Sequence, residues 1–467
     1  MSYYHKFATE TTINIPKYVE TNGVIFYDIN VKVKDVEWWV QRRYRDFDEL
    51  HDKLVSEQSV SKKLLPPKKM IGNKNPSFID QRRRDLEEYL QHLLGFLRIA
   101  MPRPFAEFLE LNKYDINFLL QDLAKYFCEC GNALMCVSPE YSFTCLDLYS
   151  ISERMGLPCP FEDIPDSFDF SHVLDFCCQL EIISITPTKA SYEAGSDYNS
   201  IDVPIGRSNI IPKNLTFHLN AFRNLKQMKV YGISTENFSE ITFLKTTLTT
   251  LYVHNTTITK INQVILCDNI HKNEDIEQVS KWDVLGYLNV SGNLLTSFDQ
   301  SIKLAPKLHT LIADQNRLKS IKYLNHLPQL RTLSLCENLI TDCTDWHTEL
   351  GNLVSLNLSQ NKIRSLVGLR KMYSLVSLDL SCNQIDDIDE VDHIGRLPLL
   401  EQLRLTGNPL SGTVDYRPRV FARFNERAPD VYLDNEKGTP RELDTALVLS
   451  ALRKSSSSQG SSNGVNR

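Results

Sequence analysis

Leu330-Arg-Thr-Leu-Ser-Leu-Cys-Glu-Asn338-Leu-Ile340 is the stretch from which the rest of the chain can be read. Its aliphatic residues and its asparagine follow the form L-x-x-L-x-L-x-x-N-x-L. The same form surrounds Asn293, Asn316, Asn338, Asn361, Asn383 and Asn408, which fall 22, 23 or 25 residues apart. Six copies at so narrow a spread of periods exclude chance. The leucines are expected to point into one core, and the asparagine side chain to bond backbone at the turn. One unit cannot bury its apolar face alone, so the units must stack and expose a long curved sheet. Such sheets bind proteins far more often than they catalyse.

This is the signature of leucine-rich repeats. Degenerate units precede the regular ones: Leu225-x-x-Met228-x-Val230 and Leu248-x-x-Leu251-x-Val253 keep the strand pattern, with Thr256 in the place of the asparagine. An insertion around Asn269–Val279 separates them from the regular block. Past Asn408, Tyr416–Phe424 and Val431–Asp434 resemble the cap that closes short, typically intracellular repeats of this class. On the concave face the strand positions are Asn289, Ile312, Ser334, Asn357, Asp379 and Arg404, flanked by Tyr287, Thr310, Thr332, Ser355, Ser377 and Gln402. A partner usually anchors on aromatic or arginine side chains, and of these positions Tyr287 and Arg404 qualify.

A chain of 467 residues suggests two to four domains. No window reaches the ~18 apolar residues of a membrane helix, and the N-terminus lacks a signal-type apolar run. The chain is therefore expected to be neither secreted nor membrane-spanning. On that reading the sequons at Asn214, Asn237, Asn255, Asn289 and Asn357 stay unmodified and the 11 cysteines stay reduced. Cys128, Cys130 and Cys136 fit no zinc spacing. Asp386-Asp387-Ile-Asp389-Glu390 lacks the glycine and closing glutamate of a calcium loop. There is no phosphate loop, nucleophile elbow or metalloprotease motif, so neither an enzyme nor a cofactor is expected.

The net charge of −6 is uneven. Residues 1–114 hold 19 basic and 16 acidic side chains, or +3, which leaves −9 for the remainder. Between Lys62 and Arg84 stand eight basic residues and one acid, Asp80, a local +7 that points to an anionic partner. No RNA- or DNA-reading motif accompanies it, so nucleic acid is not expected. Thr11–Pro16, Val24–Val33 and Glu37–Tyr44 read as a three-stranded antiparallel meander with a turn at Asn22-Gly23. A helix over Asp46–Val55 follows. A second, from Pro76 to about Leu97, places Leu86, Leu90 and Leu93 on one face. Pro66-Pro67 sets an extended crossing between them.

Arg42-Arg43-Tyr44-Arg45-Asp46-Phe47, the Pro66-Pro67-Lys68-Lys69 loop and Arg82 near the start of a helix resemble, in that order, the phox-homology (PX) domain over about residues 8–115. The resemblance implies binding of phosphoinositide headgroups, most often phosphatidylinositol 3-phosphate. Matched motif to motif, Arg43 would bind the 3-phosphate, Tyr44 would stack on the inositol ring, Lys69 would meet the 1-phosphate and Arg82 would hold ring hydroxyls. A planar guanidinium suits a phosphate monoester through paired, charge-assisted hydrogen bonds. Met70 and Ile71 form an apolar tip among Lys68, Lys69 and Lys74, suited to entering a bilayer interface.

The fold class expected is α+β and multidomain: a PX domain (three-stranded antiparallel sheet with a helical subdomain) over 1–115, then a leucine-rich-repeat α/β solenoid. Between them, 116–165 reads as a helical connector. The repeats occupy 166–434, degenerate to about 260, regular over 285–410 and capped over 411–434. Leu174–Ile185 is expected to be their leading strand. An exit helix follows over 435–453 and a disordered tail over 454–467. The pairing of the two modules resembles the imidazoline-receptor-related family of endosomal scaffolds. That resemblance implies a cytoplasmic protein, peripheral on early and recycling endosomes, which binds an integrin alpha tail, Rac or Rab GTPases and p21-activated kinase and restrains migration. Long forms of that family continue into a further C-terminal part. Two other readings are a sorting-nexin-like cargo adaptor and a regulatory subunit of a protein phosphatase.

Overall fold

Thr11, Ile13 and Ile15 alternate with exposed residues, which is the pattern of a strand with one face on a core. The strand they begin, β1 (Thr11–Thr21), pairs antiparallel with β2 (Val24–Val33), and β2 pairs with β3 (Val36–Arg43). Asn22 and Gly23 both have positive φ, 51° and 76°, as a two-residue hairpin turn requires. β1 runs five residues beyond the expected Pro16. The register shifts between Asn14 and Lys17, so Pro16 sits in an irregularity where its missing donor costs no ladder bond. The computed structural model describes residues 9–58, 60–68, 75–96, 102–157, 165–187, 215–267 and 277–460.

Two helices cover this sheet, α1 (Tyr44–Gln58) and α2 (Pro76–Phe96). Leu86, Leu90 and Leu93 are fully buried, on the face their spacing predicted. Phe47 of α1 packs its ring 4.9 Å from Phe108 and 6.4 Å from Tyr89. Trp38 is fully buried, and its indole N–H donates to the Leu109 carbonyl at 2.8 Å. β1 is an edge strand, and α2 covers its outward backbone: Glu87 accepts from Ile15 N–H, and Gln91 and Arg83 donate to the Ile13 and Ile15 carbonyls.

The chain divides into two compact units at Asn224/Leu225, with Asn237–Ser239 belonging to the first. Residues beyond 115 thus fold with the N-terminal module. Tyr149 donates to Asp35 at 3.2 Å, and Lys34 pairs with Glu153 at 2.9 Å. The segment expected to be a helical connector holds helix α3 (Ile116–Val137), strand β4 (Glu140–Thr144) and helix α4 (Cys145–Met155). Leu174–Ile185 is also corrected. Its first part belongs to a helix, α5 (Ser171–Gln179), and only its end to a strand, β5 (Ile182–Thr186), which pairs in parallel with β4. Val173, Phe176 and Cys177 recur at helical spacing and are buried, with Phe176 stacked 4.0 Å from Phe127. The β-branched residues begin only at Ile182, after Gln179 and Glu181, so one stretch holds a helical period followed by a strand.

In the second unit, β6 (Gln227–Tyr231), β7 (Thr250–His254), β8 (Tyr287–Asn289), β9 (Thr310–Ile312), β10 (Thr332–Ser334), β11 (Ser355–Asn357), β12 (Ser377–Asp379), β13 (Gln402–Arg404) and β14 (Tyr432–Leu433) pair in parallel, each with the next. Each strand buries its central leucine or equivalent, and short 3₁₀ or α turns return the chain. The asparagines form a ladder across units. Asn338, 5% exposed, accepts from Leu318 N–H of the preceding unit at 3.0 Å and donates to the Ala313, Leu335 and Cys336 carbonyls. Asn316, Asn361, Asn383 and Asn408 repeat this link. Thr256 continues it, its N–H and hydroxyl donating to Asn293.

The return turns pack equally closely. A Cβ on Gly368 would lie 1.7 Å from the Cys343 carbonyl oxygen. Gly368→Ala is therefore expected to lower stability by about 1–3 kcal/mol, read as a lower urea midpoint. An unchanged midpoint would show that the turn shifts without cost.

The insertion expected around 269–279 lies largely outside the described residues. The cap helix α6 (Tyr416–Phe424) buries Val420, Phe421 and Phe424. The exit helix, α7 (Pro440–Gly460), continues past 453 into the polar run expected to be disordered. Extending an existing helix adds one hydrogen bond per residue fixed, and serine lowers helix propensity only modestly. Among the described residues no helix is long and apolar enough to cross a membrane.

Candidate functional site

Arg43 ends β3 and Tyr44 begins α1, so the strand-to-helix junction presents the two side chains together. Asp46, in the first turn of α1, fixes this junction. One carboxylate oxygen accepts from the Arg43 backbone N–H at 2.9 Å, and the other from Arg43 Nε at 3.1 Å. The guanidinium is thereby held from one edge. Among the described residues its terminal nitrogens make no hydrogen bond, and the side chain is 43% exposed. A planar cation held this way offers a fork of donors to an anion.

Tyr44 donates its hydroxyl to the Pro66 carbonyl at 2.5 Å. Burial pushes its phenol upward from the ordinary value. The guanidinium of Arg82 covers one face of its ring, with Cζ 4.3 Å from the centroid, and lies 4.4 Å from the Phe78 centroid on its own helix. Arg82 is 8% exposed and donates to the Pro67 carbonyl at 3.3 Å. It thus clamps the diproline loop against Tyr44. Arg82→Ala is expected to cost about 1–3 kcal/mol of stability, because two stacking contacts and a loop bond are lost together. A thermal melt checks this, and a transition unchanged from wild type would remove the clamping role.

The +7 segment does not form one face. Arg83 and Arg84 both pair with Asp80, at 3.0 and 2.6 Å, and Arg83 also bonds the Ile15 carbonyl. Those contacts, Arg84 first, hold the Asp80 carboxyl below its usual range. Arg42 is spent on the Phe108 carbonyl and Glu110, and Arg45 on Glu49. Lys68 is 66% exposed, with its ammonium 2.6 Å from Asp48 of α1, whose hydrogen bond raises its pKa. Lys69, Met70, Ile71 and Lys74 lie outside the described residues. Asp46 stands in the motif without an assigned role and Phe78 outside it, although each is at helical contact spacing from the arginine it holds: Asp46 three residues after Arg43, and Phe78 four before Arg82.

On the repeat surface three side chains expected to face a partner turn back on their own strands. Asn289, Asn357 and Asp379 each accept from the backbone N–H and hydroxyl of a serine two residues on, Ser291, Ser359 and Ser381. Short amides and carboxylates do this at strand exits, and the spacing of an Asn or Asp two residues before a Ser carries the signal. Arg404 is paired with Asp379 at 3.1 Å and Asn435 at 2.8 Å. Ile312 and Tyr287 remain half-buried on the sheet.

Residues 31–112 match the PX domain family. Residues 351–393 match a family described as leucine rich repeats (2 copies). The PX match contains Arg43, Tyr44 and Arg82, so the clamped junction lies within it. An uncharacterised leucine-rich repeat-containing protein of Schizosaccharomyces pombe is 37% identical over 161 residues, 33% of this chain and 26% of that protein. A PX domain-containing protein kinase-like protein of Mus musculus is 36% identical over 94 residues, 19% of this chain and 16% of that one. The chain therefore spans about a quarter or less of the length of these curated relatives. A designed CISK-PX domain solved by X-ray is 33% identical, covering 21% of this chain and 98% of that one at a TM-score of 0.20. A PX domain joined to leucine-rich repeats indicates a lipid-binding, protein-interaction scaffold that associates peripherally with membranes.

Proposed function

We propose that this chain is a non-enzymatic scaffold, recruited by phosphatidylinositol 3-phosphate to early and recycling endosomes, whose repeats hold signalling proteins. The observation that carries the reading is the Arg43 guanidinium, braced by Asp46, whose terminal nitrogens make no hydrogen bond among the described residues and which adjoins Tyr44 in sequence. In this reading Arg43 takes the 3-phosphate, Tyr44 supports the inositol ring and Arg82 meets its hydroxyls from the wall it forms with Phe78. Lys69 takes the 1-phosphate, while Met70 and Ile71 dip into the interface among Lys68 and Lys74. The repeats would act as in nischarin, which the pairing of modules resembles, engaging an integrin alpha tail, a Rac or Rab GTPase and p21-activated kinase to restrain migration. A single headgroup pocket attaches weakly, so a repeat-bound partner at the same membrane adds avidity.

The test is co-sedimentation of the full chain with vesicles carrying each phosphoinositide in turn. Selective capture by phosphatidylinositol 3-phosphate supports the proposal. Indifference to headgroup overturns it.

A further inference from the structure

The concave face of the repeats is chemically lopsided, and its distinctive end comes from the degenerate units. Tyr252 of β7 and Tyr287 of β8 lie side by side with centroids 5.2 Å apart. Tyr252 lies 5.9 Å from His254, which lies 5.6 Å from Tyr231 of β6. All four rings are half-buried, and Nε2 of His254 is buried with no hydrogen-bond partner. Next along the sheet come two carboxylates at the exits of β9 and β10, Asp314 and Glu337. Neither has an ion-pair partner among the described residues. Asp314 accepts from the Ser334 hydroxyl at 2.6 Å and Cys336 N–H at 2.8 Å, and Glu337 from the Gln315 amide at 2.9 Å. Burial lifts the Asp314 carboxyl above its usual range, and the Glu337 charge adds to the shift. The sheet positions Asn289, Thr310, Ile312, Thr332 and Ser334 carry no charge. The basic strand residues stand at the two ends, Lys229 on β6 and Arg404 on β13, the latter already paired with Asp379.

We infer that this strip binds a basic segment of a partner protein, with an arginine or lysine stacked on Tyr252 and Tyr287 and its charge against Asp314 and Glu337. Tyrosine faces carry the negative part of the ring quadrupole and attract cations. Two uncompensated carboxylates beside them add a field of the same sign, which selects basic partners and speeds encounter. Tyrosines held rigid by their neighbours lose little entropy on contact, which suits them to anchor a partner. The inference rests on the repeats being the protein-binding part of the scaffold and names the chemistry they recognise.

Fluorescence anisotropy of the full chain with a labelled Arg-Leu-Arg-Leu-Arg peptide, against its Glu-Leu-Glu-Leu-Glu counterpart, tests it. The basic peptide is expected to bind and the acidic one not, with affinity falling as salt rises. Tyr252→Leu and Glu337→Gln are each expected to weaken binding about tenfold, the loss of one cation–π or one charge contact. Glu337 is exposed, so its variant keeps the fold even if the Tyr252 variant does not. No binding of the basic peptide, equal binding of both peptides, or unchanged affinity in Glu337→Gln overturns the inference. Binding of the acidic peptide alone overturns the assigned chemistry while leaving protein binding by the repeats in place. Vesicle capture is read with a different probe, so the lipid reading stands or falls separately.

Discussion

Arg43→Ala is expected to lower the affinity of the full chain for vesicles containing phosphatidylinositol 3-phosphate about 100-fold or more. Two charge-assisted hydrogen bonds from one guanidinium to a phosphate contribute at least about 3 kcal/mol together. The stability of the chain should hardly change. Arg43 is partly exposed and among the described residues its one ionic partner is Asp46, a surface pair of the kind worth about 0–1 kcal/mol. Vesicle sedimentation and a thermal melt on the same preparation separate the two effects. Arg43→Lys sharpens the result, since it keeps the charge but loses the planar fork that Asp46 orients. If Arg43→Ala sediments like wild type, the braced guanidinium is not the phosphate ligand. If binding and the melt fall together, Arg43 is holding the fold instead.

Much of the architecture is legible in the sequence because its signals are local. The leucines and asparagines of the repeats recur at one short period, and almost every one of them is buried. The hairpin at Asn22-Gly23 and the buried face of α2 likewise follow from residues within one or two turns of each other. Where the reading fails, distant or mixed signals decide. Leu174–Ile185 joins a helix to a strand across Gln179-Leu180-Glu181, with no glycine or proline to mark the boundary. The role of Arg82 depends on Tyr44, Phe78 and Pro67, which only the fold gathers around it. The clustering of Tyr231, Tyr252 and His254 with Tyr287 escapes motif reading because the first three sit in units that lack the asparagine, and only the strand register brings them together. The basic run from Lys62 to Arg84 misleads in the opposite sense. A linear count cannot show that Asp80 takes up both Arg83 and Arg84.

Asn338→Ala should destabilise the repeat unit by at least about 3 kcal/mol. The side chain is nearly sealed from water, and its loss strands the Leu318 N–H, at about 1–3 kcal/mol, and takes one of two hydrogen bonds from each of the Ala313, Leu335 and Cys336 carbonyls, at about 1 kcal/mol apiece. The damage is also positional. Asn338 ties Leu318 and Ala313 of the preceding unit to Leu335 of its own, so removing it weakens an interface and not merely a turn. In a stacked array, stability is a sum of unit and interface contributions, and a broken interface lets the two sides unfold at different denaturant concentrations. Urea unfolding followed by circular dichroism should therefore show a lower midpoint and a broadened or split transition. Asn408→Ala provides the comparison. Asn408 bonds the Leu380 and Leu405 carbonyls and the Ile385 N–H, one bond fewer, and stands where the regular block meets its cap. Its loss should cost less and leave the transition single. Equal effects at the two positions would mean that the asparagines act only within their own turns and that leucine packing alone couples the units.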